Sequence, residues 1–600
     1  MTLPQGLKAC ITDAPPSQIA FISKQEYTLL LAGVLKHRAG NSWAARRKSL
    51  IKLLHPALNR YKMRQTRPMS HSGSSSLSSP PAPVSPRLRL ANMGKLCIAI
   101  QAGSPEELVK RAAAALPDSR LLEFRLDSLP KPASALPAVK QFLAAHRDAT
   151  VIATCRRKQF GGHFVQSLKA ELEVLTAAAE AGCQIVDLEV ESAEGATHRQ
   201  LDELRAKLRT AGAALLVSFH DFSRTKDLEQ VAERIEAFQP DFVKIVSTAR
   251  SLANNLAILK LIETRSRSSE IVAIAMGEEG LLSRVLGPRA GAAFTFASVS
   301  DGLETDSDLA TAPGQLTART MRDLYRVDQL DQATRIFGVA GNPITHSLSP
   351  LMHNAAFRRE NVNAILVPLK VHKVSDLLTL ARELPLAGAS VTMPLKEEIL
   401  PHLANSDSLT ARIGACNTLR TGADGNIYGF NTDVAGVVRP LEKRLKLQGA
   451  RIVVLGAGGA ARAAVFGLVA QGAEVFVVNR THEAAVKLAR QAKAKSLKHE
   501  LFAKSRFDVL INATPCGMAG NKQLLPIEEN ELNAGLVFDM VYNPLETPLL
   551  KLAKERGIPT ISGLEMFVQQ GARQFEIWTG KPAPEAEMMR VVELELRRRG

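Results

Sequence analysis

Eight short apolar runs, each followed by a stretch of helical periodicity, constrain this chain more than any other feature. From Leu96 onward they read "LCIAI", "LLEFRLD", "ATVIATCR", "CQIVDLEV", "ALLVSFHDF", "DFVKIVST", "IVAIAMG" and "AAFTFASV". Between them lie segments such as "SPEELVKRAAAAL" and "KDLEQVAERIEAF", with apolar residues three and four positions apart. A strand that is apolar throughout is buried on both faces, which a parallel sheet achieves by carrying its helices outside. Eight such units over about 230 residues fit a closed (β/α)8 barrel, for which roughly 250 residues is typical.

A second α/β region follows the helical connector "TARTMRDLYRVDQLDQATR". It opens with "RIFGVAGNP" and contains "RIVVLGAGGAARAAVFGLVAQGAEVFVVNRT", a strand, glycine turn, helix and strand in sequence. That order is a nucleotide-binding half of the doubly wound kind. The chain is therefore divided into a barrel over 93–320, a connector over 321–334 and a second region, which the resemblance given below divides into a substrate lobe over 335–437, a dinucleotide-binding domain over 438–562, and C-terminal helices over 563–600 that return to the substrate lobe.

The formal charge of +17 invites a nucleic-acid partner, but its distribution does not support one. Residues 1–92 hold 14 Lys and Arg against Asp13 and Glu26, so +12 lies there and only +5 in the remaining 508 residues. No run approaches the roughly 18 apolar residues of a membrane span. The six cysteines include no CxxC pair and no His-rich tract, so neither a disulfide framework nor a metal site is expected. A reducing compartment, the cytoplasm, follows.

Residues 1–92 contain "RPMSHSGSSSLSSPPAPVSPRLRL", too poor in apolar surface to order itself. Its acid-poor, Ser- and Arg-containing composition resembles an organelle transit peptide, which would move the protein to a plastid; alternatively, natural translation begins at Met93.

Charged residues in the first half fall at strand ends, the face where a parallel barrel builds its site. Glu123, Arg125 and Asp127 alternate at spacing two, which directs them to one face. Arg156 ends the third run, Ser218 and His220 share a face of the fifth, and Lys244 sits inside "FVKIV" on the sixth. Alone, "EFRLD" is compatible with a structural ion pair and His220 with a core histidine; together they are too many buried charges for structure only. Burial and neighbouring guanidinium groups are expected to lower the Lys244 pKa and expose an amine able to form an imine with a ketone. His220 is the candidate base.

In the second half, Gly456-Ala457-Gly458-Gly459-Ala460-Ala461 follows the strand "RIVVL" and opens a helix, the position at which backbone N–H groups hold a pyrophosphate. The next strand ends in Asn479-Arg480-Thr481 where an acid would hold a ribose hydroxyl; Arg480 suits a 2′-phosphate, so NADP is expected over NAD.

The pieces "EFRLD", "TCRRKQFGG", "SFHDF", "FVKIV", "LLSRVLG" and "TAPGQL" resemble, in order, type I 3-dehydroquinate dehydratase. The resemblance implies Lys244 as the Schiff-base residue and His220 as general acid/base. It implies Glu123, Arg125 and Arg156 on substrate hydroxyls, Arg284 on the carboxylate, and Thr311 and Gln315 from a closing loop. Phe160 stands where that family commonly has an acid.

From about residue 335, "GNPITHSLSP", "SVTMPLKEE", "GACNTL", "GFNTDVAG", "NATPCGM", "FDMVYNP" and "GLEMFVQQGARQFEIWTG" resemble shikimate dehydrogenase. This implies a shikimate pocket of Ser347, Ser349, Thr392, Lys396, Asn417, Asp433, Tyr542 and Gln570, with Lys396 and Asp433 as the proton-transfer pair. NADP contacts are implied at "GAGGA", Asn479, Arg480, Thr481, Met540 and Gly563, and the family's common Asn is Ser390 here. The joint expectation is a bifunctional enzyme that turns 3-dehydroquinate into 3-dehydroshikimate and then shikimate. The alternatives are a metabolite-binding regulator on the same folds and a second half that prefers quinate.

Overall fold

The computed structural model describes residues 93–299, 312–344 and 347–599. Thr311 and the readings of residues 1–92 lie outside them.

All eight apolar runs are strands: β1 (Leu96–Ile100), β2 (Leu121–Arg125), β3 (Thr150–Thr154), β4 (Ile185–Glu189), β5 (Ala214–His220), β6 (Phe242–Thr248), β7 (Glu270–Met276) and β8 (Thr295–Ala297). They pair in parallel from β7 through β1 to β8, and Ala293 N–H donates to Ile271 O at 2.8 Å across the remaining seam. The strands persist because their residues are buried on both faces, and the helices between them are set by local chemistry. Ser104 caps one helix start, Thr197 and Gln200 form a capping box at another, and Gly212 ends that helix in the left-handed region.

Inside the barrel, Cys97, Leu121, Ile152, Ile185, Leu216, Phe242, Val272, Phe294 and Phe296 fill the lower half with apolar surface. Polar side chains are thereby confined to the C-terminal mouth. Helix α1 (Leu281–Ala290), after β7, carries Arg284 into that mouth.

The second region holds two six-stranded sheets. The first comprises β9 (Arg335–Gly341), β10 (Ala364–Lys370), β11 (Leu386–Val391), β12 (Asn405–Ser406), β13 (Thr418–Thr421) and β14 (Ile427–Phe430), in the order β10-β9-β11-β13-β14-β12. Its β11–β13 and β13–β14 pairs are antiparallel. The second comprises β15 (Arg451–Leu455), β16 (Glu474–Val478), β17 (Lys495–Ser496), β18 (Phe507–Asn512), β19 (Ala534–Asp539) and β20 (Thr560–Ile561). Its order β17-β16-β15-β18-β19-β20, all parallel, is the doubly wound arrangement with a switch point beside β15.

Helix α2 (Ser349–Arg359), α3 (Asp433–Glu442), α4 (Gly459–Ala470), α5 (Gly563–Thr579) and α6 (Glu585–Arg599) frame these sheets. The return of α5 to the first sheet is fixed by Trp578, which stacks on Phe337 with ring centroids 4.8 Å apart and donates its indole N–H to Leu419 O at 2.9 Å. Close approach of α3 and α5 needs glycine at 436, where a Cβ would lie 2.9 Å from Met566 O.

Candidate active sites

The barrel mouth brings together eight sequence-expected residues and adds two that the sequence reading passed over. Lys244 leaves β6 above the apolar plug, its Nζ 4.5 Å from the Phe296 ring centre. It donates to Asp187 Oδ2 at 2.8 Å and to Glu123 Oε1 at 3.1 Å, and its side chain is 4% exposed. Arg156 donates to Glu189 Oε2 at 3.1 Å and to Asp187 Oδ2 at 3.4 Å. Ser218, the register partner of both Lys244 and Glu189, places its hydroxyl 2.5 Å from Asp187 Oδ1 and 2.9 Å from Glu189 Oε2. His220, two residues further along β5, has Nδ1 3.0 Å from Glu189 Oε1. With Nδ1–H given to Glu189, Nε2 is the free base.

Asp187 and Glu189 are the missed pair. Their D-x-E spacing at the end of "CQIVDLEV" carried the same signal as the E-x-R of β2. Their omission explains the one expectation that the structure overturns. Burial does push the Lys244 ammonium toward losing its proton, and Arg156 adds to that, but Asp187 and Glu123 outweigh both and hold its pKa above the ordinary lysine value. Counting guanidinium groups without these carboxylates reversed the sign. Burial also opposes ionisation of the acids, yet Lys244 foremost, with the arginines, keeps Glu123 and Asp187 below the usual carboxylate range. Glu189 is different: burial pushes it up to about 7 despite Arg156. His220 is driven well below the usual imidazole value by burial, then Arg156 and Lys244, so it is neutral near pH 7.

Arg125 makes a bidentate pair with Asp127, at 2.9 and 2.8 Å, and both are buried. Asp127 also accepts from His163 N–H at 3.1 Å, which pins the loop containing Phe160. Phe160 lies in a short 3₁₀ turn and carries the Arg157 guanidinium 5.8 Å from its ring centre, so this loop is shaped without an acid at 160. Arg284 is 2% exposed, and no carboxylate among the described residues pairs with it. Its Nη2 reaches Pro313 O at 3.4 Å, its Nε has no partner, and burial lowers its pKa to about 10. A buried cation without a counter-charge is a place for an anion. Gln315 lies two residues beyond Pro313 on that same segment.

The second site is a pocket of about 430 Å³ between the two sheets. All eight expected substrate residues line it: Ser347, Ser349, Thr392, Lys396, Asn417, Asp433, Tyr542 and Gln570. Ala460, Met540 and Gly563, expected at the cofactor, line it too. Lys396 Nζ donates to Asp433 Oδ2 at 2.7 Å, while Asn417 Nδ2 donates to Asp433 Oδ1 at 2.7 Å. The Asn417 amide is itself oriented: its oxygen accepts from Thr418 Oγ1 and from Thr432 N–H, each at 2.8 Å. Behind this wall Gln574, also unforeseen, donates to Ser390 Oγ and Thr418 Oγ1 at 3.1 Å. Its oxygen faces His353 Nε2 at 3.1 Å, in a ring that burial holds neutral by lowering its pKa to about 4.

The glycine turn fits a dinucleotide. Gly456 has φ +112, where a Cβ would sit 3.1 Å from Ala513 O. At Gly458 and Gly459 a Cβ would meet nothing within 4 Å, so open space faces the uncapped start of α4, a place suited to a pyrophosphate. Ala457 lies within that turn. At the end of β16, Asn479 Nδ2 donates to Thr481 O at 3.0 Å, and Arg480 is exposed without an ion pair among the described residues. These groups suit the 2′-phosphate of NADP.

The fold defines an α/β protein with two candidate sites, one around a buried lysine at a barrel mouth and one in a cleft beside a dinucleotide-binding turn. Residues 96–332 match the model of the type I 3-dehydroquinase family. Residues 339–419 match the shikimate dehydrogenase substrate binding domain, 440–524 shikimate/quinate 5-dehydrogenase, and 563–593 the shikimate 5′-dehydrogenase C-terminal domain. The bifunctional 3-dehydroquinate dehydratase/shikimate dehydrogenase of Arabidopsis thaliana, named as chloroplastic, is 33% identical over 516 residues, 82% of this chain and 83% of that protein. The shikimate dehydrogenase (NADP(+)) of Methanosarcina acetivorans is 44% identical over 275 residues, 44% of this chain and 98% of the relative. A solved structure of shikimate 5-dehydrogenase from Thermus thermophilus with NADP(H) and shikimate is 34% identical, covering 44% of this chain and 99% of that one, with a TM-score of 0.40. The chain belongs to the family of bifunctional 3-dehydroquinate dehydratase/shikimate dehydrogenases. It is accordingly an enzyme with a lyase half and an NADP-dependent oxidoreductase half. Among the described residues no helix is long and apolar enough to cross a membrane.

Proposed function

We propose that residues 93–320 dehydrate 3-dehydroquinate to 3-dehydroshikimate through a Schiff base on Lys244, and that residues 335–600 reduce this product to shikimate with NADPH. One observation carries the reading: a lysine almost wholly buried at the barrel mouth stands between Asp187 and Glu123, two residues below a neutral histidine on the neighbouring strand.

In the barrel, Arg284 takes the substrate carboxylate, and Arg156, Arg125 and Glu123 stand where hydroxyls are held. The resting Lys244 is an ammonium, so its proton must leave before attack, and neutral His220 is the acceptor within the shell. The amine then adds to the ketone carbon and water departs, giving the protonated imine. His220 removes the proton alpha to that carbon, the electron pair passes into the imine, and hydroxide leaves with the proton that His220 returns. Water hydrolyses the imine and restores Lys244.

In the second half, Ser347, Ser349, Thr392, Tyr542 and Gln570 hold the ring substituents. Lys396 donates a proton to the carbonyl oxygen as it becomes an alkoxide, while Asp433, itself held by Asn417, keeps the ammonium aimed. NADPH bound across Gly456–Gly459 supplies the hydride. Arg480 and Thr481 hold its 2′-phosphate end. The compartment is the cytoplasm on this reading; a targeting role for residues 1–92 would make it a plastid, and the intact mass of the native protein separates the two.

Borohydride reduction in the presence of 3-dehydroquinate should add the mass of the reduced dehydrated adduct to the peptide carrying Lys244. Absence of that mass overturns the dehydratase reading. For the other half, initial rates with shikimate and NADP should exceed those with quinate or with NAD; the reverse order overturns the substrate or cofactor assignment.

A further inference from the structure

Behind the lobe pocket a chain of hydrogen bonds runs from Lys396 to His353, and the donor and acceptor at every link are fixed. Asp433 is a carboxylate that accepts from Lys396 Nζ at 2.7 Å, so the Asn417 group 2.7 Å from its other oxygen must be the NH2. The Asn417 oxygen then accepts from Thr432 N–H at 2.8 Å, a main-chain donor that imposes the same orientation independently. Thr418 gives its one proton to that oxygen at 2.8 Å, which leaves only lone pairs for Gln574, 3.1 Å away. The Gln574 NH2 therefore points toward Thr418, as the Asn417 main-chain oxygen 3.4 Å from it also requires.

The Gln574 oxygen is thereby turned to His353 Nε2 at 3.1 Å, so the ring must carry its proton on Nε2. His353 Nδ1 is buried with no partner, and this tautomer strands a lone pair there rather than an N–H. Burial keeps the ring neutral, its pKa lowered to about 4. Both residues are fully buried, and neither lines the pocket. Without the His353 donor the buried amide could turn over, offering its oxygen to Ser390 and Thr418 and reversing the sense of the chain. Gln574 stands four residues beyond the pocket residue Gln570 on α5, about one helical turn, so the same helix face serves the substrate at one level and the wall behind it at the next.

We propose that Gln574, its sense set by His353, is a positioning residue of the dehydrogenase half: it makes Ser390 a hydrogen-bond donor to the substrate and steadies Asn417 in the orientation that Asp433 needs. The inference rests on the reading that this half acts on shikimate. Ser390 Oγ accepts from Gln574 Nε2 at 3.1 Å, its one side-chain hydrogen bond among the described residues. Its own proton is therefore free, and the pocket is the open space that Ser390 lines. Ser390 is only 8% exposed, so water competes little for that proton.

The test follows shikimate oxidation by NADP as initial rates in the full-length protein, with the concentration of folded sites set by NADP titration. Gln574→Met keeps the side-chain length and removes its polar contacts. It should raise KM for shikimate about three- to tenfold, the range for one hydrogen bond, and leave KM for NADP unchanged. The fall in kcat should be smaller, since Thr432 N–H still holds Asn417. In a Ser390→Ala background the same change should move KM by less than about twofold, because the hydroxyl that Gln574 orients is gone. His353→Phe should raise KM as Gln574→Met does, whereas His353→Gln, which can set an N–H where Nε2 stood, should stay within about twofold of the unaltered protein. An unchanged KM in Gln574→Met, or the same rise with and without the Ser390 hydroxyl, overturns the proposal; a residue that only supports the fold lowers the folded fraction and leaves KM alone. If the unaltered chain does not oxidise shikimate, the reading of this half fails and the inference fails with it.

Discussion

Lys244 and Lys396 each donate to an aspartate, at 2.8 and 2.7 Å, yet the two pairs live in different surroundings. Lys244 is 4% exposed and touches a second carboxylate, with Arg156 and neutral His220 in the same shell. Lys396 is 27% exposed, and its one acidic partner is steadied by an amide rather than by another charge. On the proposed mechanism the contrast follows from what each amine is asked to do. A nucleophile must be desolvated, and desolvating an ammonium is costly unless acids surround it, so the barrel stores its nucleophile in the protonated form with a base close by. A proton donor needs resupply, which contact with water gives. The same residue pair is thus tuned by burial and by the number of neighbouring charges, not by its own distance.

The sharpest break of that comparison is Lys244→Arg. Arginine keeps a positive charge between Asp187 and Glu123, so the shell stays neutralised, but it forms no imine. Dehydratase turnover should fall by more than about 10⁴-fold, the upper end for losing an acid-base group, while dehydrogenase turnover stays within about twofold. A dehydratase that survives this change does not use Lys244 covalently. On the other side, Lys396→Ala should cut dehydrogenase kcat by about 10² to 10⁴-fold. Asp433→Asn should fall in the same range, and neither should alter the dehydratase. Equal loss of both activities would mean that the halves are not independent sites.

Most of the scaffold was legible because its signal is repetitive. Eight runs of period-free apolar residues admit few arrangements, and the glycine turn after "RIVVL" fixes where the doubly wound sheet begins. The lobe pocket was legible through short motifs, and all eight residues expected in it converge on its lining. What escaped is instructive. Asp187 and Glu189 read as part of an ordinary strand, because a carboxylate on an apolar run announces nothing until its partner across the barrel is known, and Lys244 is 57 residues away from Asp187 in sequence. Without them the sign of the Lys244 shift could not be obtained. Gln574 was hidden by the same distance, since Ser390, the group it supports, is 184 residues earlier. Charge balance is a property of the assembled shell, whereas periodicity is a property of the segment.

A smaller effect separates the cofactor end from the reacting end of the dehydrogenase. Arg480 is exposed, so its contribution is limited to the charge-assisted hydrogen bonds it forms with phosphate. Arg480→Ala should raise KM for NADP by about 10- to 100-fold, from roughly 1.5–3 kcal/mol for such bonds, leaving KM for NAD nearly unchanged. An equal rise for both cofactors would remove Arg480 from 2′-phosphate recognition.

The least visible test concerns an acid in the barrel that serves neither site. Glu171 is buried against Ser192, whose hydroxyl donates to it at 2.8 Å, and no ion pair holds it among the described residues. Burial raises its pKa to about 7, the opposite of Glu123, which is buried to a similar degree but paired with Lys244. A carboxyl whose folded pKa lies above its unfolded value of 4.5 adds stability that is complete below about pH 4.5 and lost as pH rises through 7. The loss approaches about 3 kcal/mol, at 1.36 kcal/mol per pKa unit. Glu171→Gln keeps a partner for Ser192 and cannot ionise. Its thermal midpoint should match the wild type at pH 4, exceed it increasingly up to about pH 7 and level off above that, with both activities intact. A difference that stays constant across that range would show that Glu171 is already ionised in the folded barrel, and that a cation is not what distinguishes it from Glu123.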